Sequence, residues 1–100
     1  MILNPGSINI LTNASYTLST GPCRVYSLYT YGAQSTTMGT LALLNGSAAG
    51  TEYVRLTVRG TGIDSWNYID FPFGLYFPNG CYAAPNSRTT YSTITYEILP

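Results

Sequence analysis

The chain has no histidine and no lysine, and Asp, Glu, Lys and Arg together make up 8% of its 100 residues, against about 25% in an average soluble domain. Without histidine, Ser-His-Asp and Cys-His arrangements are absent by inventory, and the commonest general base is missing. The four cations are all arginine (Arg24, Arg55, Arg59 and Arg88), and Glu52, Asp64, Asp70 and Glu97 balance them to a net charge of zero. That leaves no basic stripe for phosphate backbones, so nucleic-acid binding is not expected. Cys23 and Cys81 are the only cysteines. They are too far apart for a local Cys-x-x-Cys motif and have no nitrogen ligands to join them, so neither a metal nor another cofactor is expected. They are either two small buried thiols or a disulfide between strands that happen to be adjacent. Leu41 to Leu44 is the longest apolar run and stops at Asn45-Gly46, far short of the ~20 residues that span a bilayer as a helix, so no membrane partner is expected. Met-Ile-Leu-Asn-Pro-Gly at the start has neither a basic cluster nor a continuous apolar segment, so no signal peptide is expected. Asn13-Ala14-Ser15 and Asn45-Gly46-Ser47 then read as chance matches to a glycosylation pattern.

What is abundant points to strands. Fourteen Thr, ten Tyr, seven Ile and three Val favour pleated surfaces over helices, and the length suits a single domain over residues 1–100. Glu52 to Arg59 has the clearest alternation, with Val54, Leu56 and Val58 on one face and Tyr53, Arg55, Thr57 and Arg59 on the other. Ile8–Leu11 and Tyr16–Ser19 suggest two short strands joined by a turn. Cys23 to Tyr31 alternates with neither face cleanly apolar, as in a strand whose second face is covered by a neighbouring subunit or that lies centrally in a sandwich. Met38 to Leu44 enters the Asn45-Gly46 turn. Gly60 to Asp70 is the least regular stretch, and Phe71-Pro72-Phe73-Gly74 imposes a bend because Pro72 cannot donate to a ladder. Pro78-Asn79-Gly80 suits a three-residue hairpin between Leu75–Phe77 and Cys81-Tyr82. Ala83 to Arg88 is expected to be a loop, and Thr89 to Leu99 a long final strand. The fold class is therefore all-β, an antiparallel β-sandwich, jelly-roll-like, of about seven or eight short strands.

The chemistry-bearing candidates are few. Asp64 and Asp70 beside Trp66 and Tyr68 have the residue types of a glycosidase pair, but two loop carboxylates are more often turn caps or water-facing charges. Gly60-Thr61-Gly62 lacks the third glycine and the helix of a phosphate cradle. The chain is not expected to be an enzyme. A surface this poor in ions and rich in tyrosine suits contact with other protein, because interfaces enrich Arg and Tyr and deplete Lys. The candidate partner interface is Tyr53, Arg55 and Arg59 on one strand face, with Trp66 and Tyr68 on the irregular segment. The alternative use of Trp66, Tyr68 and the other tyrosines is stacking on sugar rings in a carbohydrate-binding module.

Ile69 to Tyr82, Ile-Asp-Phe-Pro-Phe-Gly-Leu-Tyr-Phe-Pro-Asn-Gly-Cys-Tyr, followed by the alternating strand Thr89 to Leu99, resembles small β-sandwich structural proteins of tailed-bacteriophage virions. The resemblance covers roughly the last third of the chain. It implies a virion location at the capsid surface, with the major capsid protein and copies of the chain itself as partners. The implied role is a decoration, or cement, protein that stabilises capsomer junctions as a homotrimer. Small tail and collar parts share the same style.

Overall fold

The computed structural model describes residues 5–10, 14–32, 39–58, 66–86 and 89–99. They form eight strands: β1 Pro5–Ile10, β2 Tyr16–Ser19, β3 Cys23–Gly32, β4 Gly39–Asn45, β5 Glu52–Val58, β6 Trp66–Phe77, β7 Cys81–Pro85 and β8 Thr89–Ile98. Two four-stranded sheets result, in the orders β1-β8-β3-β6 and β2-β7-β4-β5, and every pairing is antiparallel. The chain changes sheet at each connection except β4 to β5, and the pairs β1·β8, β2·β7, β3·β6 and β4·β5 nest inside one another. A long antiparallel ribbon rolled onto itself gives this order, so the sandwich is an eight-stranded jelly roll.

Only the β4–β5 connection is a hairpin within one sheet. There the Asn45 amide donates to the Thr51 carbonyl at 2.8 Å and the Gly50 amide to the Ser47 carbonyl at 2.9 Å. β1 and β2 are both strands, in different sheets. Two local expectations are corrected. The turn at Pro78-Asn79-Gly80 closes no hairpin, because it carries the chain across the sandwich, and Cys81 pairs with Asn45 and Ser19 instead of Phe77. Strand β7 runs on to Pro85, so the first half of the expected 83–88 loop is sheet. Turn chemistry reports that the chain reverses and cannot report which sheet it enters. Gly80 makes the crossing possible: its φ is +101° and a Cβ there would lie 2.4 Å from the Ser19 carbonyl oxygen, so only glycine fits without moving backbone.

The core lies between the sheets and is filled by Phe77, Leu28, Leu41, Leu43, Ile94 and Val25, all fully buried, each contributing about 1.5–3 kcal/mol by removal from water. Cys23 and Cys81 are buried among them as free thiols from opposite sheets. The two thiols hydrogen-bond each other, and that contact together with burial pushes the Cys81 thiol above its ordinary range. Thr30 and Ser92 are also fully buried, and their hydroxyls meet at 2.9 Å. That bond satisfies two polar groups that would otherwise cost about 1–3 kcal/mol each if left unpaired.

Strand β3 explains its own mixed pattern. It is central in its sheet, between β8 and β6, and its register shifts on both sides between Val25 and Ser27. Tyr26 is the extra residue of a β-bulge. Before it Cys23 and Val25 face the core, and after it Leu28 and Thr30 do. The inward phase therefore reverses in mid-strand, and a strict period-2 reading finds apolar residues on both faces.

Candidate functional site: the outer face of the β6 sheet

The bulge that turns Leu28 and Thr30 inward turns Ser27, Tyr29 and Tyr31 outward. Their ladder partners build a regular outer surface three strands wide. Trp66, Tyr31 and Tyr91 stand in one row, Tyr68, Tyr29 and Thr93 in the next, and Asp70, Ser27 and Thr95 in a third. Beyond the bulge, Tyr76, Arg24 and Glu97 form a fourth. Rows on one face repeat about 7 Å apart along a strand, and neighbouring strands lie about 4.8 Å apart. The first two rows are thus a nearly continuous patch of rings. The Tyr29 and Trp66 ring centroids are 6.1 Å apart with planes 26° from parallel, and Tyr91 meets Tyr29 edge-on at 6.0 Å.

Polar groups fix the borders of this patch. The Tyr68 hydroxyl donates to Asp70 Oδ1 at 2.7 Å, and this bond to a carboxylate holds the phenol proton above the ordinary tyrosine range. The Tyr26 hydroxyl donates to Glu97 Oε1 at 2.8 Å, with the same upward effect on its own titration. The Arg24 guanidinium lies 5.6 Å from the Tyr76 ring centroid, a cation–π arrangement. Each charge on this face is therefore met by a tyrosine, and the surface carries little free field.

Strand β6 forms the edge of its sheet, and its middle is not a plain strand. Leu75 pairs with Val25 and Asp70 with Ser27, so Phe71, Pro72, Phe73 and Gly74 all stand opposite the single residue Tyr26. Gly74 has φ +81°, and a Cβ there would lie 2.8 Å from Arg24 Cδ and 3.0 Å from Tyr26 Cε1. The protrusion is thus seated directly on those two side chains. At its tip Phe73 is 92% exposed, far more than the other large hydrophobic side chains. Pro72 and the protrusion also interrupt the edge ladder, which blunts strand-to-strand aggregation.

Of the five residues expected at an interface, the four described ones divide between strands β5 and β6 of different sheets. Trp66 and Tyr68 are exposed on the ringed face of β6. Arg55 lies on β5 in the other sheet, where it makes a 2.6 Å ion pair with Glu52. Tyr53 is the unpaired residue at the β4–β5 register shift, and its ring stacks on Phe77 with centroids 5.0 Å apart. Arg59, like Asp64 of the considered acid pair, lies outside the described residues. β5 and β6 do flank the same side of the sandwich, since Asn67 Nδ2 donates to the Thr57 carbonyl at 2.9 Å. Among the described residues no cluster of three or more metal-ligating side chains occurs.

Sequence reasoning missed Phe73, Tyr76, Tyr29 and Tyr91. The signal for Phe73 was present: Pro at one side and Gly at the other mark a residue lifted out of the ladder. Tyr29 was hidden because the Tyr26 bulge cannot be seen in a period-2 pattern. No protein-family model, no curated protein and no solved structure matches the chain.

Proposed function

We propose that this chain is a non-enzymatic structural protein of a tailed-phage virion, a decoration protein that assembles as a homotrimer and docks on the major capsid protein. The observation that carries the reading is Phe73, a phenyl ring almost wholly exposed on a glycine-seated protrusion of an edge strand. A large apolar ring left in water is a poor use of surface for a solitary domain and a good hot spot for a partner. Burying it gains about 1.5–3 kcal/mol per copy, and the three copies of a trimer engage a shell with avidity. Tyr76, 48% exposed beside Arg24, extends the same anchor. The jelly-roll order agrees with this reading, since capsid proteins use that architecture, but lectins use it too, so the weight rests on the protrusion.

Two measurements test it. Light scattering after size exclusion is expected to give a particle of three chains, each of 10.9 kDa. Co-sedimentation with capsid shells stripped of the protein is expected to saturate, and Phe73→Ser is expected to weaken it about tenfold or more, the equivalent of roughly 1.4 kcal/mol. A monomer that ignores shells refutes the proposal, and retention on purified tails instead of shells moves the protein to the tail and refutes the capsid assignment.

A further inference from the structure

The far end of the same face differs from the Phe73 protrusion in chemistry. Around Trp66 the surface is built of aromatic rings, most of them phenols, and the row of Asp70, Ser27 and Thr95 beyond them is polar. We propose that Trp66, Tyr29 and Tyr91, bordered by Tyr68 and Asp70, form a binding platform for a neutral oligosaccharide. This reading is independent of whether the chain sits on a shell.

Three observations favour a sugar. First, the Trp66 and Tyr29 planes lie 26° from parallel with centroids 6.1 Å apart, so the two rings stack, and Trp66, 54% exposed on the edge strand, keeps aromatic surface free for the C–H face of a pyranose ring, as cations and flat ligands use aromatic faces. Second, the rings adjoin an exposed carboxylate. Asp70 accepts from the Tyr68 hydroxyl at 2.7 Å, which fixes its orientation, and an ionised carboxylate has further lone pairs that only donors can satisfy. Sugar hydroxyls are such donors. Ser27 and Thr95 stand in the same row and can both donate and accept. Third, no cation stands in these three rows. Arg24 is in the row beyond the bulge, against Tyr76. Among the described residues of these rows an anionic polymer would meet Asp70 and no counter-charge, which favours a neutral ligand.

A sugar brings a hydroxyl edge and an apolar face together, which matches a half-exposed indole beside an exposed carboxylate.

The chain contains one tryptophan, so tryptophan emission, excited at the red edge where tyrosine does not absorb, reports on this platform. Titration with neutral oligomers of β-linked glucose, galactose and N-acetylglucosamine is expected to give a saturable change in Trp66 emission with at least one of them. By calorimetry with that sugar, Trp66→Ala and Asp70→Ala are expected to lose about tenfold or more in affinity, since a ring stack and a charge-assisted hydrogen bond are each worth on the order of that factor. Both side chains are exposed, so the variants are expected to keep the circular dichroism spectrum of the parent. Phe73→Ser is expected to bind sugar unchanged. The proposal is overturned if none of these sugars produces a saturable response. It is equally overturned if the two variants bind as the parent does, or if Trp66 emission follows protein concentration instead of sugar, which would mean that a second copy covers the face.

Discussion

Replacing three glycines by alanine, one at a time, tests the backbone that seats the protrusion. At Gly21 an added Cβ meets nothing within 4 Å and φ is not positive. Gly21→Ala should therefore be neutral or stabilise by about 0.4–1 kcal/mol through the unfolded chain. At Gly74 the φ of +81° alone disfavours an L residue by about 1–2 kcal/mol. The new methyl also meets Arg24 Cδ at 2.8 Å and Tyr26 Cε1 at 3.0 Å. Both are side-chain atoms that can shift, at the expense of the contacts Arg24 makes with Tyr76 and Tyr26 with Glu97, so the expected loss is about 2–3 kcal/mol. At Gly80 the φ of +101° is joined by a Ser19 carbonyl oxygen only 2.4 Å from the new atom, and backbone gives far less readily, so the loss should exceed that at Gly74. At roughly 4–8 °C per kcal/mol for a domain of this size, differential scanning calorimetry should show three well-separated melting temperatures in the order Gly21→Ala, Gly74→Ala, Gly80→Ala. Gly74→Ala should also weaken shell co-sedimentation as Phe73→Ser does, because the protrusion lifts off its seat. Equal melting temperatures for Gly21→Ala and Gly74→Ala would falsify the seated-protrusion account.

Two further predictions concern the core and the hydroxyls. Cys23 and Cys81 are wholly buried as free thiols, so an aromatic disulfide reagent should leave both untouched in the folded chain. Two equivalents should react in denaturant, with a native-state rate that tracks global unfolding; fast reaction of one thiol in native buffer contradicts this. Tyr26, Tyr68 and Tyr96 all hold their protons more tightly than an ordinary tyrosine, the first two through bonds to Glu97 and Asp70 and the third through burial. The unfolded chain loses these protons first, so the folded state binds more of them above pH about 10 and stability falls as pH rises through that range, while below it the contribution is fully retained. An ultraviolet titration should show a delayed class of phenols whose ionisation coincides with unfolding, and a single class titrating near 10 with no loss of structure is the contrary result.

Much of the architecture was legible in the residues. Tyr16–Ser19 is a strand with the expected limits, and Leu56 and Val58 face the core while Arg55 and Thr57 face outward, as their alternation requires. What escaped were events that add residues to a strand or send it to another sheet. Pro78-Asn79-Gly80 is a reversal in both readings, yet whether it closes a hairpin or crosses the sandwich depends on partners such as Asn45 and Ser19, which lie far away in sequence. Gly60 to Asp70 looked irregular because polar and aromatic residues mix there, but Trp66 to Asp70 is well-paired strand at a sheet edge, where one face meets water and ordinary patterning is lost. The interface residues were read from one strand at a time. Trp66 was found by its type, whereas its stacking partner Tyr29 becomes visible only once the strands are laid side by side.

The bulge at Tyr26 links these points, because one extra residue decides which side chains of β3 form the core and which form the ringed face. Deleting Tyr26 removes the phase reversal. If the first half of β3 keeps its register, Leu28 and Thr30 turn to solvent and Tyr29 turns into the core. Leu28 is fully buried and Thr30 shares a buried hydrogen bond with Ser92. If the second half keeps its register, Cys23 and Val25, both fully buried, turn out instead. Either way about two core side chains are lost and a polar or bulky one is forced inward, a penalty on the order of 5 kcal/mol or more, comparable with the entire stability of a small domain. Tyr26→Phe keeps the residue count and removes only the 2.8 Å bond to Glu97, for about 1–3 kcal/mol. The deletion should therefore lack a cooperative thermal transition and the sharp near-ultraviolet dichroism of packed tyrosines, while Tyr26→Phe should retain both. A deletion variant that melts cooperatively within a few degrees of Tyr26→Phe would mean that β3 tolerates either phase, and the outer rows of rings would then owe nothing to the bulge.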